Sequence, residues 1–305
     1  MNAIIETHGL TRRFRGVEAV HELTFSVPEG KICAFLGPNG AGKTTTIKML
    51  MNLIEPGAGT CSVMGIESHK LRAEHWQHIG YVSENQQLHE WMTVRQLLDY
   101  LRPFYREWDR EFEQRLLADF ALPAERKIKH LSRGMKMKLA MLTALAFRPR
   151  LLVLDEPFTG LDPLARDELV RGILEFTGRG DWTIFMSSHD VEEVERLADW
   201  IVMIDAGLLV LSESTADLQG RFRQITFVLD EPVPDHQPPW PAGWLGAEHS
   251  GRTVRATVVD FQESEAESIA RRHFPALSNW TATSMSLREI FIALARVHRS
   301  TTTTP

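Results

Sequence analysis

Gly37-Pro38-Asn39-Gly40-Ala41-Gly42-Lys43-Thr44 fits the pattern G-x-x-x-x-G-K-[ST], and its flanks constrain the fold more than any other stretch of the chain. Ahead of it, Lys31–Leu36 is a short apolar run with a β-branched residue and an aromatic, the composition of a buried strand. After it, Thr45–Met51 places apolar residues at helical spacing. Strand, glycine loop and helix in that order let backbone N–H groups turn inward around a polyphosphate, at a helix N-terminus whose dipole favours anions. Lys43 is then placed to reach the β- and γ-phosphates and Thr44 to offer its hydroxyl to Mg²⁺. Gly37, Pro38, Asn39, Gly40, Ala41, Gly42 and Thr45 form the cradle around them. A nucleoside triphosphate is the expected ligand.

The 305 residues leave room for about two domains, and a hydrophobic content of 43% is enough for cores without covalent staples. Two cysteines, Cys33 and Cys61, argue for a reducing compartment and against a disulfide scaffold or zinc site. Met1–Glu6 lacks the basic start and apolar core of a signal peptide. No stretch approaches the roughly 18 apolar residues of a membrane span; the most apolar one, Trp200–Leu211, is broken by Asp205 and Gly207. These features predict a cytoplasmic chain that can dock onto a membrane protein. A net charge of −6 weighs against nucleic acid as a partner, and the segment from Arg221 onward carries as many acids as arginines.

Up to about residue 220 the pattern is that of one α/β unit with a largely parallel sheet. Strand-like runs recur at Lys31–Leu36, His78–Val82, Leu151–Leu154, Thr183–Ser187 and Trp200–Ile204. Ile4–Leu10 and Ala19–Val27 read as an antiparallel N-terminal part. A helical insertion is expected over about 88–148, with Val94, Leu97, Leu98 and Leu101 marking one helix and Phe112, Leu116 and Leu117 another. Residues 221–299 read as a small α+β appendix: strands at Ile225–Leu229 and Thr253–Val259, a proline-rich loop at Pro232–Pro241, and helices at Glu263–Phe274 and Leu287–Val297. A frayed tail is expected over 300–305.

Leu151–Leu154 ends in Asp155-Glu156. Paired acids at a buried strand tip are costly unless a cation or a reacting water uses them. The division of labour that fits is Asp155 on Mg²⁺ and Glu156 on the attacking water. With these motifs on the page, the chain resembles the ATPase subunits of ATP-binding-cassette (ABC) transporters over about residues 4–215. Leu131-Ser132-Arg133-Gly134-Met135 stands where that family carries its LSGGQ signature. Thr159-Gly160-Leu161-Asp162 matches the D-loop and Ser187-Ser188-His189-Asp190 the H-loop, while Phe14 lies where an aromatic meets the adenine ring.

The resemblance implies a P-loop ABC ATPase fold and a dimer of this chain, with itself or a close relative, around two ATP. It also implies a separate integral-membrane permease, and a place on the inner face of the membrane. Glu156 and His189 would be catalytic, and Ser132, Arg133, Gly134 and Asp162 would reach the partner's nucleotide. Two departures stand out. Glu84 occupies the position of the family's Q-loop glutamine, leaving Glu84, Gln86 and Gln87 as alternatives for a Mg²⁺ or water contact. Arg133 and Met135 replace a Gly and the Gln of the signature, which looks like the exporter-type (ABC-2) ATPases of bacteria. The other class of reading is a soluble ABC ATPase that serves as a regulatory or nucleic-acid-associated module.

Overall fold

The computed structural model describes residues 2–177, 182–231, 240–241, 243–275 and 277–302. The chain divides into two compact units, Met1–Ser212 and Glu213–Pro305.

The first unit opens with β1 (Ala3–Phe14) and β2 (Val17–Pro28), an antiparallel hairpin whose turn residues Arg15 and Gly16 both have positive φ. Next come β3 (Ile32–Leu36), α1 (Lys43–Leu50), β4 (Ala58–Val63), β5 (Ile66–Glu67), the single turn α2 (Ala73–Trp76) and β6 (Ile79–Val82). Three helices then follow without an intervening strand: α3 (Val94–Leu101), α4 (Arg110–Asp119) and α5 (Arg133–Leu145). The α/β pattern resumes with β7 (Leu151–Leu154), α6 (Pro163–Thr177), β8 (Thr183–Ser188), the short α7 (Val191–Val194), β9 (Trp200–Asp205) and β10 (Leu208–Ser214).

These strands form two sheets, one in the order β2-β1-β4-β5 and a six-stranded one in the order β10-β9-β3-β8-β7-β6. Within the larger sheet β9, β3, β8, β7 and β6 run parallel. Their near-continuous apolar sequences follow from burial on both faces. Phe25 of β2, Phe35 of β3 and Phe185 of β8 stack with ring centroids 5.2–6.2 Å apart, so aromatic burial fastens the antiparallel sheet to the central one.

The parallel arrangement matters most for position. It brings the C-terminal ends of β3, β6, β7 and β8 to one edge of the sheet, where α/β folds bind ligands. The register aligns Leu36 with Ser188, Leu154 with Met186 and Val82 with Leu154. The phosphate-loop motif, Glu84, Asp155-Glu156 and His189 therefore all emerge along that edge.

The second unit contains α8 (Thr215–Arg221), β11 (Arg223–Leu229), β12 (Trp244–Ser250), β13 (Thr253–Val258), α9 (Glu263–His273), β14 (Leu277–Ser284) and α10 (Leu287–Thr302). Its antiparallel sheet runs β12-β13-β11-β14. Alternation on β11 buries Ile225, Phe227 and Leu229 against Val254, Ala256, Ala270 of α9 and Phe274 just after that helix. Helix α8 belongs to this unit rather than to the first, and the Arg221 guanidinium at its end comes within 3.5 Å of Asp260. Helix α10 continues to Thr302, over the first three residues of the tail expected from Ser300. Residues 303–305 lie outside the described residues, as does most of the proline-rich loop expected over Pro232–Pro241.

Candidate functional site

At the C-terminal end of β3 the backbone turns into α1 through Gly42, which sits at φ 104°. A Cβ there would lie 2.3 Å from the Ala19 carbonyl oxygen, so only glycine lets this loop close against β2. Lys43, the first residue of α1, is buried. Its ammonium donates to the carbonyls of Gly37 (2.6 Å) and Pro38 (3.3 Å) and pairs with Glu156 Oε1 at 3.1 Å. Ala41 is buried in the loop, its N–H donating to Pro38 O.

Asp155 and Glu156 follow β7 into this corner. Thr44 Oγ1 and Ser187 Oγ both donate to Asp155 Oδ1, at 3.1 and 2.8 Å. Ser187 Oγ also accepts from the Glu156 N–H at 2.9 Å, so one hydroxyl on β8 holds both acids in register. Glu156 Oε2 accepts from Thr159 Oγ1 at 3.1 Å and meets His189 Nδ1 at 2.8 Å. An ionised carboxylate only accepts, so Nδ1 carries the hydrogen. Glu156 stands at φ 51°, a left-handed conformation that a non-glycine residue keeps only where its surroundings hold it.

The two acids differ in charge behaviour. Burial pushes the Asp155 carboxyl up; hydrogen bonds from Ser187 and Thr44 oppose this, while the nearby Glu156 and Glu84 charges add to it. Burial alone would also raise Glu156, but the His189 hydrogen bond and the Lys43 ammonium outweigh it and hold that carboxyl below its usual range.

A cleft of about 560 Å³ opens over these groups, lined by the loop residues Asn39, Gly40, Gly42, Lys43, Thr44 and Thr45, and also by Ala19, Glu84, Glu156, Thr159 and His189. Among the Q-loop alternatives, Glu84 is the one that faces this cleft. Gln86 Oε1 instead accepts from the Ser83 N–H and hydroxyl, and both Gln86 and Gln87 line a different pocket beside Leu97 and Tyr105.

Five expected ligand contacts, Phe14, Ser132, Arg133, Gly134 and Asp162, lie elsewhere. Ser132 caps α5, its Oγ accepting from Met135 N at 3.2 Å, and Gly134 follows in the first turn. The Arg133 guanidinium rests on Gly160, so close that a Cβ on that glycine would stand 2.3 Å from Nη1. Asp162 caps α6, accepting from Ala165 N at 2.9 Å. None of these residues lines the cleft. Phe14, at the tip of the first hairpin, is 43% exposed beneath the Arg12 guanidinium and is likewise no part of the cleft wall. Ser187, Thr159 and Ala19 join the site without having been singled out by motif reading. The first two lie inside the H-loop and D-loop motifs, while Ala19 is placed only by the hairpin.

A glycine loop at a parallel strand end, a buried lysine and an acid pair at the neighbouring strand tip define a P-loop nucleotide-binding ATPase. Residues 20–159 match the family model described as ABC transporter. The chain is 36% identical over 212 residues to the bacitracin transport ATP-binding protein BcrA of Bacillus licheniformis, covering 69% of each. It is 40% identical over 213 residues to the Nod factor export ATP-binding protein I of Burkholderia orbicola, covering 67% of this chain and 69% of that one. A solved structure titled as the ATP-binding subunit of an ABC transporter superposes with a TM-score of 0.64 at 31% identity, over 71% of this chain and 92% of the other. The chain belongs to the ABC transporter ATP-binding family, and is an ATP-binding, ATP-hydrolysing subunit of that class.

Proposed function

We propose that this chain powers a separate membrane permease, as an exporter subunit on the cytoplasmic face of the membrane, by closing as a dimer around two ATP. The observation that carries the reading is the split of the motifs. The phosphate loop, Glu156 and His189 share one cleft, whereas Ser132, Arg133, Gly134 and Asp162 line no part of it. A second copy, or a close relative, would bring its own set to the open side. Ser132 and the N–H groups at the start of α5 would then face the γ-phosphate. Phe14 would meet the adenine ring from the hairpin tip.

Among the described residues no helix is long and apolar enough to cross a membrane, and in this reading the separate permease supplies the path for the cargo. An exposed aromatic row offers a place for it. Trp91 (68% exposed), His89, Tyr100 and Phe104 follow one another at centroid distances of 5.4–6.3 Å on the helical insertion. Trp108, by contrast, is tied inside the insertion by a 2.7 Å bond from Nε1 to Glu113. The name of the relative concerned with Nod factor export favours export.

In the reaction, Lys43 exchanges Glu156 for phosphate oxygens, and the freed carboxylate takes the proton of the attacking water. His189 and Thr159 hold that carboxylate in place while this happens. The donor set of Thr44, Asp155 and Glu84 is all hard oxygen with few protein carboxylates, which fits Mg²⁺ shared with phosphates. When bound, Mg²⁺ would neutralise charge on the phosphates, with Thr44, Asp155 and Glu84 as the residues that hold it.

The test is affinity purification of the tagged chain from gently solubilised membranes of its own cell. A polytopic membrane protein recovered in stoichiometric amount is the expected result. A chain found only in the soluble fraction, without such a partner, overturns the permease part of the reading.

A further inference from the structure

An ion pair between a buried carboxylate and a partly exposed guanidinium sits next to the cleft without being part of it. The Glu193 side chain is only 4% exposed, although it carries a carboxylate. Its Oε2 accepts from Ser188 Oγ at 2.7 Å, and its Oε1 meets Arg166 Nη1 at 3.1 Å. Burial pushes this carboxyl up even with those partners present, so the fold holds a charge there at a cost.

The three residues connect two functional loops. Ser188 directly precedes His189, and its Oγ also accepts from Asp190 N at 3.0 Å, so the backbone on both sides of the histidine is pinned. Arg166 lies one turn into α6, its N–H donating to Asp162 O at 3.0 Å, while the Asp162 side chain caps the same turn. Its guanidinium also comes within 4.0 Å of Asp190 Oδ2. The path from Asp162 to His189 thus runs through one helical turn, one ion pair and one hydroxyl.

We infer that Arg166, Glu193 and Ser188 form a positioning relay that sets His189 according to the seating of the Asp162 loop. The inference rests on the dimer reading above, in which Asp162 meets the second copy. Docking of that copy displaces the first turn of α6, Arg166 carries the displacement to Glu193, and Ser188 passes it to His189 and so to Glu156. These are positioning residues, since none of them lines the cleft.

The experiment compares steady-state ATPase kinetics and melting temperature for the full chain and the variants Glu193→Gln, Glu193→Ala, Arg166→Ala, Arg166→Lys and the double alanine variant. Glu193→Gln keeps the shape and an acceptor for Ser188 but loses the charge that grips Arg166, and it serves if Glu193→Ala does not fold. The expected result is a kcat lowered by roughly ten- to a hundredfold with KM for ATP within about twofold. Arg166→Lys should recover part of the loss seen in Arg166→Ala. The double variant should be no slower than either single one, because a relay breaks once. Wild-type kcat in folded Glu193→Gln overturns the relay alone, as do losses that multiply in the double variant. A wild-type chain with no turnover overturns the ATPase reading and the relay with it.

Discussion

Lys43 Nζ lies 3.1 Å from Glu156 Oε1, both side chains buried, so the cation proposed for the phosphates and the carboxylate proposed for the water hold each other. The pair explains how a carboxylate persists at a buried strand tip. It also makes phosphate binding a competition in which ATP takes Lys43 from Glu156. Lys43→Ala is therefore expected to weaken ATP binding by a hundredfold or more, on the order of the loss of one or two charge-assisted hydrogen bonds. Titration calorimetry checks this, and unchanged affinity would sink the phosphate-loop assignment.

Glu156→Gln should still bind ATP while hydrolysis falls by roughly 10²–10⁴. Gln can accept from Thr159 as Glu156 does, but it cannot take a proton from water. With turnover blocked, the ATP-bound pair of copies should persist, and light scattering should read twice the monomer mass only when ATP is present. Wild-type phosphate release in this variant would remove Glu156 from the role of base.

The same residue sets an acid limb of stability. Its folded carboxyl titrates below the ordinary glutamate value of 4.5. The stabilisation is therefore fully present above that value and is lost as pH falls through the folded pKa. Glu156→Gln should flatten the stability curve below about pH 4.5 relative to wild type. Chemical denaturation across that range is the measurement, and parallel curves for the two proteins would count against the pair.

Ser187 is the hinge of the acid pair, accepting from Glu156 N and donating to Asp155 Oδ1. Ser187→Ala leaves a buried N–H without its acceptor, which costs about 1–3 kcal/mol. The first unit should melt several °C lower, at roughly 2–4 °C per kcal/mol. An unchanged transition in scanning calorimetry would mean that the hydroxyl carries no such load.

Much of this site is legible in the sequence because its groups come in short contiguous motifs whose geometry is local. Lys43 and Thr44 are adjacent at a helix start, and Asp155-Glu156 ends a strand of four apolar residues. What pattern reading misses depends on register between strands. Ser187 acquires its role only because β7 and β8 pair Leu154 with Met186, which sets Ser187 beside the acids. Ala19 reaches the cleft through the hairpin rather than through any motif. Several strands escape for a related reason. Ala58–Val63 is mostly small and polar, and Leu277–Ser284 is an edge strand exposed along much of its length, so neither shows the apolar alternation that marks a strand with one buried face. The helical insertion is legible from its spacing, but which of its aromatics face outward is not. Trp91 and Trp108 look alike in sequence, and only Glu113 beneath Trp108 Nε1 separates them.

Asp155 shows the conflict between stability and function at this edge of the sheet. Its carboxyl titrates above the ordinary value because burial, together with the Glu156 and Glu84 charges, disfavours ionisation more than Ser187 and Thr44 favour it. For an acid shifted upward, the folded state is penalised once the unfolded chain has ionised, so the cost grows as pH rises from the ordinary aspartate range and is fully present above the folded pKa. Asn reproduces the neutral form. Both hydroxyls donate to the same oxygen, Oδ1, which an amide oxygen can replace without losing either bond. Asp155→Asn should therefore raise the melting temperature of the nucleotide-free protein at neutral pH by a few °C. The stabilisation should shrink as pH falls through the folded pKa and be gone below the ordinary aspartate value of 3.8, where the acid is neutral in both states. The same variant should lose Mg²⁺-dependent tightening of ATP binding, because the one buried carboxylate of the oxygen set is gone. A lowered melting temperature would show that the aspartate is ionised at no cost, and Mg²⁺ dependence kept intact would move the metal to Glu84.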